Sequence, residues 1–250
     1  MSIAGVLDRM AAQLDAMPPD DARRAFHATY LRTTKAVADA LDRGAFADPA
    51  WVERWDVVFA DLYLDALDVA LAGGTPPRPW AIAFAAAAAP EPQRLPPLRQ
   101  VLLGMNAHIN FDLPQAIVAV ISPAEFDDPS TVARRERDHR VIDEVLATRV
   151  KAEDDEFDGP RRLVDRVTAP ANRMATRRFL VESRQKVWRN ARVLDAARRS
   201  GPEAYGARLA ELESLSAARV ADLEAPGQVL LRLARTGFGV TLPAAPVTGA

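Results

Sequence analysis

The chain contains no cysteine and only three histidines among its 250 residues. The absence of cysteine excludes disulfides, thiolate metal sites, iron–sulfur clusters and a cysteine nucleophile. A site built from three histidines would need every histidine of the chain. The net charge is also small, at -2 from 32 Lys and Arg against 34 Asp and Glu. No overall positive field therefore attracts the protein to nucleic acid or to an anionic membrane.

Apolar runs long enough to cross a membrane are missing as well. The run near 81–89 ends at Pro90 and falls well short of the roughly 20 residues that a spanning helix needs. Residues 1–17 carry Asp and Arg within their apolar stretch, so they lack the uninterrupted apolar core of a signal peptide. With 49% hydrophobic and 26% charged residues, the composition is that of a globular protein, and we expect a cytoplasmic one.

Apolar residues recur every three or four positions along nearly the whole chain, a period that is typical of helices. Helices are predicted over about 3–14, 20–41, 49–72, 98–121, 130–150, 171–199, 202–223 and 228–235, with a short one after Trp80. The helices near 49–72 and 98–121 are apolar on most of their circumference, which indicates central, buried helices. We predict an all-α, single-domain multi-helix bundle over 1–236, with the second central helix kinked at Pro114 because proline cannot continue its hydrogen bonds. A loosely ordered tail is expected over 237–250.

One of the two central helices carries an unusual polar cluster, in the sequence GMNAHINFDLP over residues 104–114. A buried polar group without a partner costs about 1–3 kcal/mol, so the fold must supply partners or the helix must face a wet or ligand-filled cavity. His108 and Asp112 are four residues apart and share one face. Asn106 and Asn110 share a different, roughly opposite face.

The pair of His108 and Asp112 predicts acid–base chemistry. An aspartate that accepts from one imidazole nitrogen fixes the tautomer and leaves the other nitrogen free to exchange protons. The leading hypothesis is an enzyme that acts on a small, largely apolar molecule in a pocket between helices. His108 would be the acid or base and Asp112 its orienting partner, while Asn106 and Asn110 would donate hydrogen bonds to a substrate oxygen.

The alternative is a non-catalytic protein, either a ligand-binding or a structural one, in which the same residues only lock the helix kink. The two hypotheses differ in the space they require. A ligand needs a pocket of at least roughly 300 Å³ beside His108. The structural alternative requires that protein groups alone satisfy all four polar side chains.

The string over residues 106–114 resembles the NAHIN-x-DLP signature of a bacterial family called domain of unknown function 5995. Weaker similarity to this family extends over about 20–195. It includes Tyr30, Thr33, Thr34, the segment 46–51, Asp56, Phe59, Ala60, Tyr63, Trp80, Arg184, Trp188 and Ala191. The resemblance implies an all-α domain and no particular reaction. Where the family pattern leads us to expect asparagine, this chain has Asp143.

Four residues in these similar segments are candidates for binding the substrate: Asp56, Tyr63, Arg184 and Trp188. Arg184 and Trp188 lie one helical turn apart, so together they offer a cation and an aromatic wall. The expected partner is a small hydrophobic molecule, with no nucleic acid and no membrane. The sequence leaves the oligomeric state open.

No motif indicates a cofactor or a metal. The chain lacks a Gly-rich phosphate loop, a nucleophile elbow, a dinucleotide fingerprint and a His-Glu-x-x-His pair, so we predict no cofactor and no metal. His27 and His139 are expected on the surface. Asp61, Asp65 and Asp68 form a stripe on the third helix, which is either its wet side or part of the cavity wall near the polar cluster.

Overall fold

The computed structural model describes residues 2–156, 182–227, 233 and 235–244, with side chains described over the same ranges except for 147–156. Every regular element in these ranges is a helix, which confirms the predicted all-α bundle. Within this part of the chain, no helix combines the length and the apolar character needed to cross a membrane.

The predicted central helix over 49–72 is a single helix, whereas the one over 98–121 is divided by a short π-helical segment. The elements in chain order are α1 (Ile3–Ala16), α2 (Arg23–Asp42), α3 (Pro49–Leu71), α4 (Arg78–Ala88), α5 (Pro97–Ala107), the π segment (His108–Asp112), α6 (Leu113–Val120), α7 (Pro123–Asp127), α8 (Pro129–Glu156), α9 (182–199) and α10 (Pro202–Glu224). The helical predictions over 171–181 and 228–232 lie outside the described residues.

The start of α3 is fixed by capping groups from two directions. The Asp48 side chain accepts a hydrogen bond from the Trp51 backbone N–H at 3.0 Å, with Pro49 at the first helical position. The backbone N–H groups of Ala47 and Asp48 donate to the buried Asp138 carboxylate of α8 at 2.8 and 3.0 Å. The Asp138 carboxylate of α8 therefore fixes the position of the N-terminal end of α3.

The π segment is where the predicted kink takes a more specific form. The Leu113 backbone N–H donates to the carbonyl of His108, five residues earlier instead of four. In a regular α-helix the Pro114 ring would clash with the carbonyl of residue 110, and the wider turn relieves that clash. Single π turns are rare inside α-helices and frequently occur at functional sites. The extra residue changes which side chains face the core before and after the turn.

The core consists of two clusters of buried side chains, and α3 contributes to both. Trp51 and Trp55 belong to a cluster shared with α6 and α9. Tyr63 and Leu67 belong to a cluster shared with α1, α2, α4 and α5. Helix α5 meets α2 closely at Gly104, where any Cβ would overlap the Phe26 ring. Helix α3 is therefore central, as its apolar circumference predicts.

Residues 237–244, called here the C-terminal strap, are packed against the bundle through two asparagines. The Asn110 amide donates to the Phe238 carbonyl at 3.3 Å and accepts from the Val240 N–H at 3.1 Å. The Asn190 amide donates to the Val240 carbonyl at 3.1 Å and accepts from the Leu242 N–H at 2.8 Å. The boundary at residue 236 stays a prediction, but a loosely ordered tail does not describe Phe238, Val240 and Leu242, which are all buried.

Candidate functional site

His108 and Asp112 are hydrogen bonded at the centre of the molecule. The His108 Nδ1 lies 2.8 Å from the Asp112 Oδ2, across the π segment. The same oxygen accepts a hydrogen bond from the Trp80 indole N–H at 2.9 Å. All three side chains are buried. Their geometry is the predicted pairing of an imidazole with an orienting carboxylate, and Trp80 adds a second donor to that carboxylate.

Aromatic rings surround the His108 imidazole. Phe59 stacks on it, with ring centroids 3.6 Å apart and planes inclined by 4°. Tyr30 meets it edge-on, with centroids 4.5 Å apart. Three further rings approach within about 6 Å: those of Phe26, Trp80 and Tyr63. The side chain of His108 is only 4% exposed, so this cage removes the imidazole from bulk water.

Burial dominates the electrostatics of the pair. It lowers the pKa of His108 well below its usual range, because a charged imidazole loses its hydration inside the aromatic cage. Burial also raises the pKa of Asp112, and the hydrogen bond from Trp80 acts in the opposite direction. A neutral imidazole that donates from Nδ1 to Asp112 carries its lone pair on Nε2. That Nε2 atom is buried and has no hydrogen-bond partner among the described residues.

The space next to this cage is small. A cavity of about 80 Å³, called here the inner cavity, lies between α2, α3, α8 and α9. Tyr30 and Phe59 form part of its wall and separate it from the His108 ring that they contact. Its volume is well below the roughly 300 Å³ that a bound ligand beside His108 was expected to need. It holds two or three waters at roughly 30 Å³ each, or the end of a larger molecule.

The inner cavity is distinguished by four polar atoms that lack partners among the described residues. The Tyr30 hydroxyl, the Trp55 indole N–H, the Asp56 Oδ2 and the Ser183 hydroxyl are buried and form no hydrogen bond there, and all four residues line the cavity. Burial raises the pKa of Asp56 to about 7. Burial and the nearby charge of Asp56 raise the pKa of Tyr30 well above its ordinary value, and the nearby Thr34 hydroxyl opposes that rise. Each unsatisfied buried group costs about 1–3 kcal/mol, so a polar molecule that enters the cavity is stabilised by hydrogen bonds to these groups.

The opposite wall of the inner cavity contains two further polar pairs. Arg184 forms an ion pair with Asp143, and both side chains are mostly buried. Burial raises the pKa of Asp143 to about 6, and Arg184 opposes that rise. The His139 Nδ1 accepts a hydrogen bond from the Trp188 indole N–H at 3.0 Å. Burial lowers the pKa of His139 to about 3, so this imidazole is neutral at physiological pH.

The structure brings some of the predicted site residues together. Asp56 and Arg184 line the inner cavity. Trp188 does not line it but donates a hydrogen bond to His139, which does. Tyr63 belongs to the cage around the His108 ring, but its hydroxyl lies 2.8 Å from the His27 Nδ1 and is engaged there.

The two asparagines lie on the side of the π segment that meets the strap. The Asn110 Nδ2 donates to the Asn106 Oδ1 at 3.0 Å, and the Asn106 Nδ2 donates to the Leu102 carbonyl at 3.2 Å. With its contacts to the strap, the Asn110 amide has three protein partners and no spare donor. Protein groups thus engage the asparagine half of the motif, as the structural alternative expects, while the histidine half keeps an unpartnered atom.

The histidines outside the motif are not surface residues, so that expectation is wrong. His27 is fully buried between the Tyr63 hydroxyl and the Met10 carbonyl, and His139 is buried against Trp188. Both histidines lie on the inward faces of amphipathic helices. The charged residues next to them in the sequence do not show that these faces are buried. Across the described residues, no group of three or more His, Asp or Glu side chains is arranged to hold a metal ion.

The aspartate stripe on α3 is a surface feature. Asp61, Asp65 and Asp68 all form ion pairs with Arg9 of α1, at distances of 2.6 to 3.2 Å. Asp65 and Asp68 are exposed. The stripe therefore joins α1 to α3 on the wet side of α3 and does not line the inner cavity.

Comparison with known proteins identifies the family of the chain. A model of a family of unknown function, domain of unknown function 5995, matches residues 3–226. The chain belongs to this family. No curated protein and no solved structure matches it. The family match covers the cage, the inner cavity and the polar motif, and it names no reaction for them.

The sequence analysis did not identify Tyr30, Phe59 or Ser183 as parts of a site. Tyr30 and Phe59 lie in segments similar to the family, so their positions were visible, but nothing in the helical period shows that they wall a cavity. Ser183 carries no sequence signal, because a serine on an Arg-rich helix is ordinarily a solvated residue. Its burial becomes evident only when α9 is packed against α2 and α8.

Proposed function

We propose that this protein is an enzyme that acts on a small, largely apolar molecule by acid–base chemistry, with the reacting end of the molecule in the inner cavity. The observation that carries the proposal is the group of polar atoms around one small space that have no partner among the described residues: the Tyr30 hydroxyl, the Trp55 indole N–H, Asp56 Oδ2 and the Ser183 hydroxyl. A substrate with one polar group supplies the missing partners. Its apolar part suits the aromatic and aliphatic remainder of the wall.

Asp56 has the properties of a general acid or base in this scheme. Burial raises the pKa of its carboxyl to about 7, so both protonation states are populated near physiological pH. Catalysis by proton transfer is most efficient when the pKa of the group lies near the working pH. The Tyr30 hydroxyl is held neutral by its raised pKa and is a donor for a developing oxyanion.

His108 takes a positioning role in this proposal, which differs from the role expected from the motif. Phe59 lies between its ring and any guest of the inner cavity. The imidazole, locked by Asp112, fixes the Phe59 and Tyr30 rings that shape the cavity. The reacting groups are therefore Asp56 and Tyr30, with His108 behind them.

A proton-exchange reaction tests this directly. Acetone is small enough to enter the inner cavity, and its α-hydrogens exchange with D₂O when a base removes a proton. The Asp56 carboxylate takes the proton as the C–H bond breaks, and the electron pair moves to the carbonyl oxygen next to Tyr30. The Asp56 carboxyl hydrogen then exchanges with D₂O. Finally Asp56 returns a deuteron to the carbon as the C–D bond forms and the carbonyl is restored. We expect the protein to accelerate this exchange, and Asp56→Asn to abolish the acceleration.

Tyr30→Phe removes the hydroxyl donor from the cavity. Tyr205→Phe is the control, because it removes the same hydroxyl from a partly buried tyrosine on α10. Tyr30→Phe should slow the exchange about 10²-fold or more, as the loss of an oxyanion donor does elsewhere. Tyr205→Phe should leave it unchanged. Exchange at the buffer rate between pH 5 and pH 9, with all variants folded, would refute the assignment.

A further inference from the structure

A second space adjoins the inner cavity on the outside of the molecule. This outer groove, of about 860 Å³, lies between α9 and the first turns of α10. Its volume falls within the range of roughly 300–1,000 Å³ typical of ligand sites, which the inner cavity alone does not reach. Arg184 lines both spaces. Trp188 lines the groove and donates its indole N–H to His139, which lines the inner cavity.

The floor of the outer groove is apolar and formed by small side chains. It contains Val193, Ala196 and Ala197 of α9 and Ala204 and Ala207 of α10. Short side chains on two neighbouring helices leave a channel between them instead of interlocking. A surface of this kind has the width and the chemistry for a hydrocarbon chain.

The groove is also lined by arginines, of which one has no partner within the part of the chain that the structure describes. Arg184 pairs with Asp143, Arg192 with Glu136 at 2.8 Å, and Arg208 with Glu211. Arg189 is exposed and forms no ion pair or hydrogen bond with any described residue. An unpaired guanidinium beside an apolar channel complements a ligand that carries an anionic group.

We propose that the outer groove and the inner cavity form one substrate site, and that the substrate is an elongated amphiphile with an anionic end. The hydrocarbon part lies on the alanine floor and Arg189 binds the anionic end. The opposite end, which is neutral, passes Arg184 into the inner cavity. An anion does not suit that cavity, because Asp56 and Asp143 already line it. This inference rests on the proposed function of the inner cavity, whose size admits only the end of such a molecule.

Binding of dodecanoate, measured by isothermal titration calorimetry below its micelle concentration, tests the proposal. Two variants act on the groove: Arg189→Glu reverses its free charge, and Ala207→Trp fills its floor from an exposed position. We expect each to weaken dodecanoate binding about tenfold or more. Dodecyltrimethylammonium, with the same chain and the opposite charge, should bind wild type at least about tenfold more weakly.

Matched controls separate these effects from general changes in charge and stability. Arg54→Glu makes the same charge change on an exposed position of α3, and Ala11→Trp adds the same ring to an exposed position of α1. Both should bind dodecanoate within about twofold of wild type. The inference is overturned by any one of three results: wild type does not bind dodecanoate, it binds dodecanoate and dodecyltrimethylammonium with equal affinity, or Arg189→Glu binds dodecanoate as tightly as wild type does.

The experiment also separates this inference from the proposed function. Acetone exchange reports on the inner cavity alone. Exchange without dodecanoate binding overturns only the substrate class, whereas dodecanoate binding without exchange leaves a groove that binds amphiphiles and overturns the enzyme proposal. If both are observed, bound dodecanoate should slow acetone exchange in wild type and not in Ala207→Trp, because only an occupied groove can block the way past Arg184.

Discussion

Replacing Asn110 by alanine tests whether the asparagine half of the polar motif has a structural role. The substitution removes three hydrogen bonds, to the Asn106 side chain, the Phe238 carbonyl and the Val240 N–H. A buried donor left without a partner, here the N–H of Val240, costs about 1–3 kcal/mol, and each of the other two bonds contributes about 0.5–1.5 kcal/mol net. The free energy of unfolding should therefore fall by about 2–6 kcal/mol.

For a protein of this size, 1 kcal/mol corresponds to a change in Tm of about 2–4 °C, so the expected decrease is about 4–24 °C. Urea unfolding gives the free energy, and hydrogen exchange shows where protection is lost. We expect faster exchange at Val240 and Leu242, because the strap detaches, and unchanged exchange in α3.

Asn190→Ala is the matched variant, since Asn190 holds the same strap by an equivalent pair of hydrogen bonds. Both substitutions detach the same strap, so the second one has fewer contacts left to remove. The double variant should therefore lose less stability than the sum of the two single variants. Stability within about 0.5 kcal/mol of wild type in Asn110→Ala, or full additivity in the double variant, would show that the strap does not depend on these amides.

Three further outcomes follow from the packing and the pKa shifts. Gly104→Ala should destabilise the protein by about 1–3 kcal/mol in urea unfolding, because the new methyl overlaps an aromatic ring; Gly206→Ala, in a helix with open space around it, should instead stabilise by about 0.5–1 kcal/mol. Because the pKa of Asp56 is raised to about 7, its contribution to stability is complete below about pH 4 and is lost as the pH rises through about 7. The free energy of unfolding of wild type, relative to that of Asp56→Asn, should therefore fall across that range. A difference that does not change with pH would contradict the raised pKa. Trp188→Phe should cost about 1–3 kcal/mol by leaving the His139 Nδ1 without its donor, and a neutral effect would mean that another group replaces it.

The helices could be predicted from the sequence because their signal is local. The period of apolar residues located α2 and α3. Pro114 indicated a break in the second central helix. Its form, a π turn, is one of several ways in which a helix can accommodate a proline, and the local pattern does not choose among them.

The candidate site could be predicted only in part, because its walls come from distant segments. The spacing of His108 and Asp112 showed that they pair, and the structure confirms their hydrogen bond. The cavity itself needs Tyr30 and Ser183, which lie on helices that meet only after folding. The role of Asn110 was out of reach for the same reason, since its partner Val240 is 130 residues further along the chain.

The central claim is that the inner cavity holds the polar end of a substrate between Asp56 and Tyr30. A high-resolution crystal structure of the protein soaked with acetamide, a neutral molecule with one donor and one acceptor group, tests it most directly. The account predicts acetamide in the cavity, with its amide group within hydrogen-bond distance of the Asp56 Oδ2 and the Tyr30 hydroxyl. Ordered waters that satisfy the Tyr30, Asp56 and Ser183 oxygens and that acetamide does not displace would contradict it.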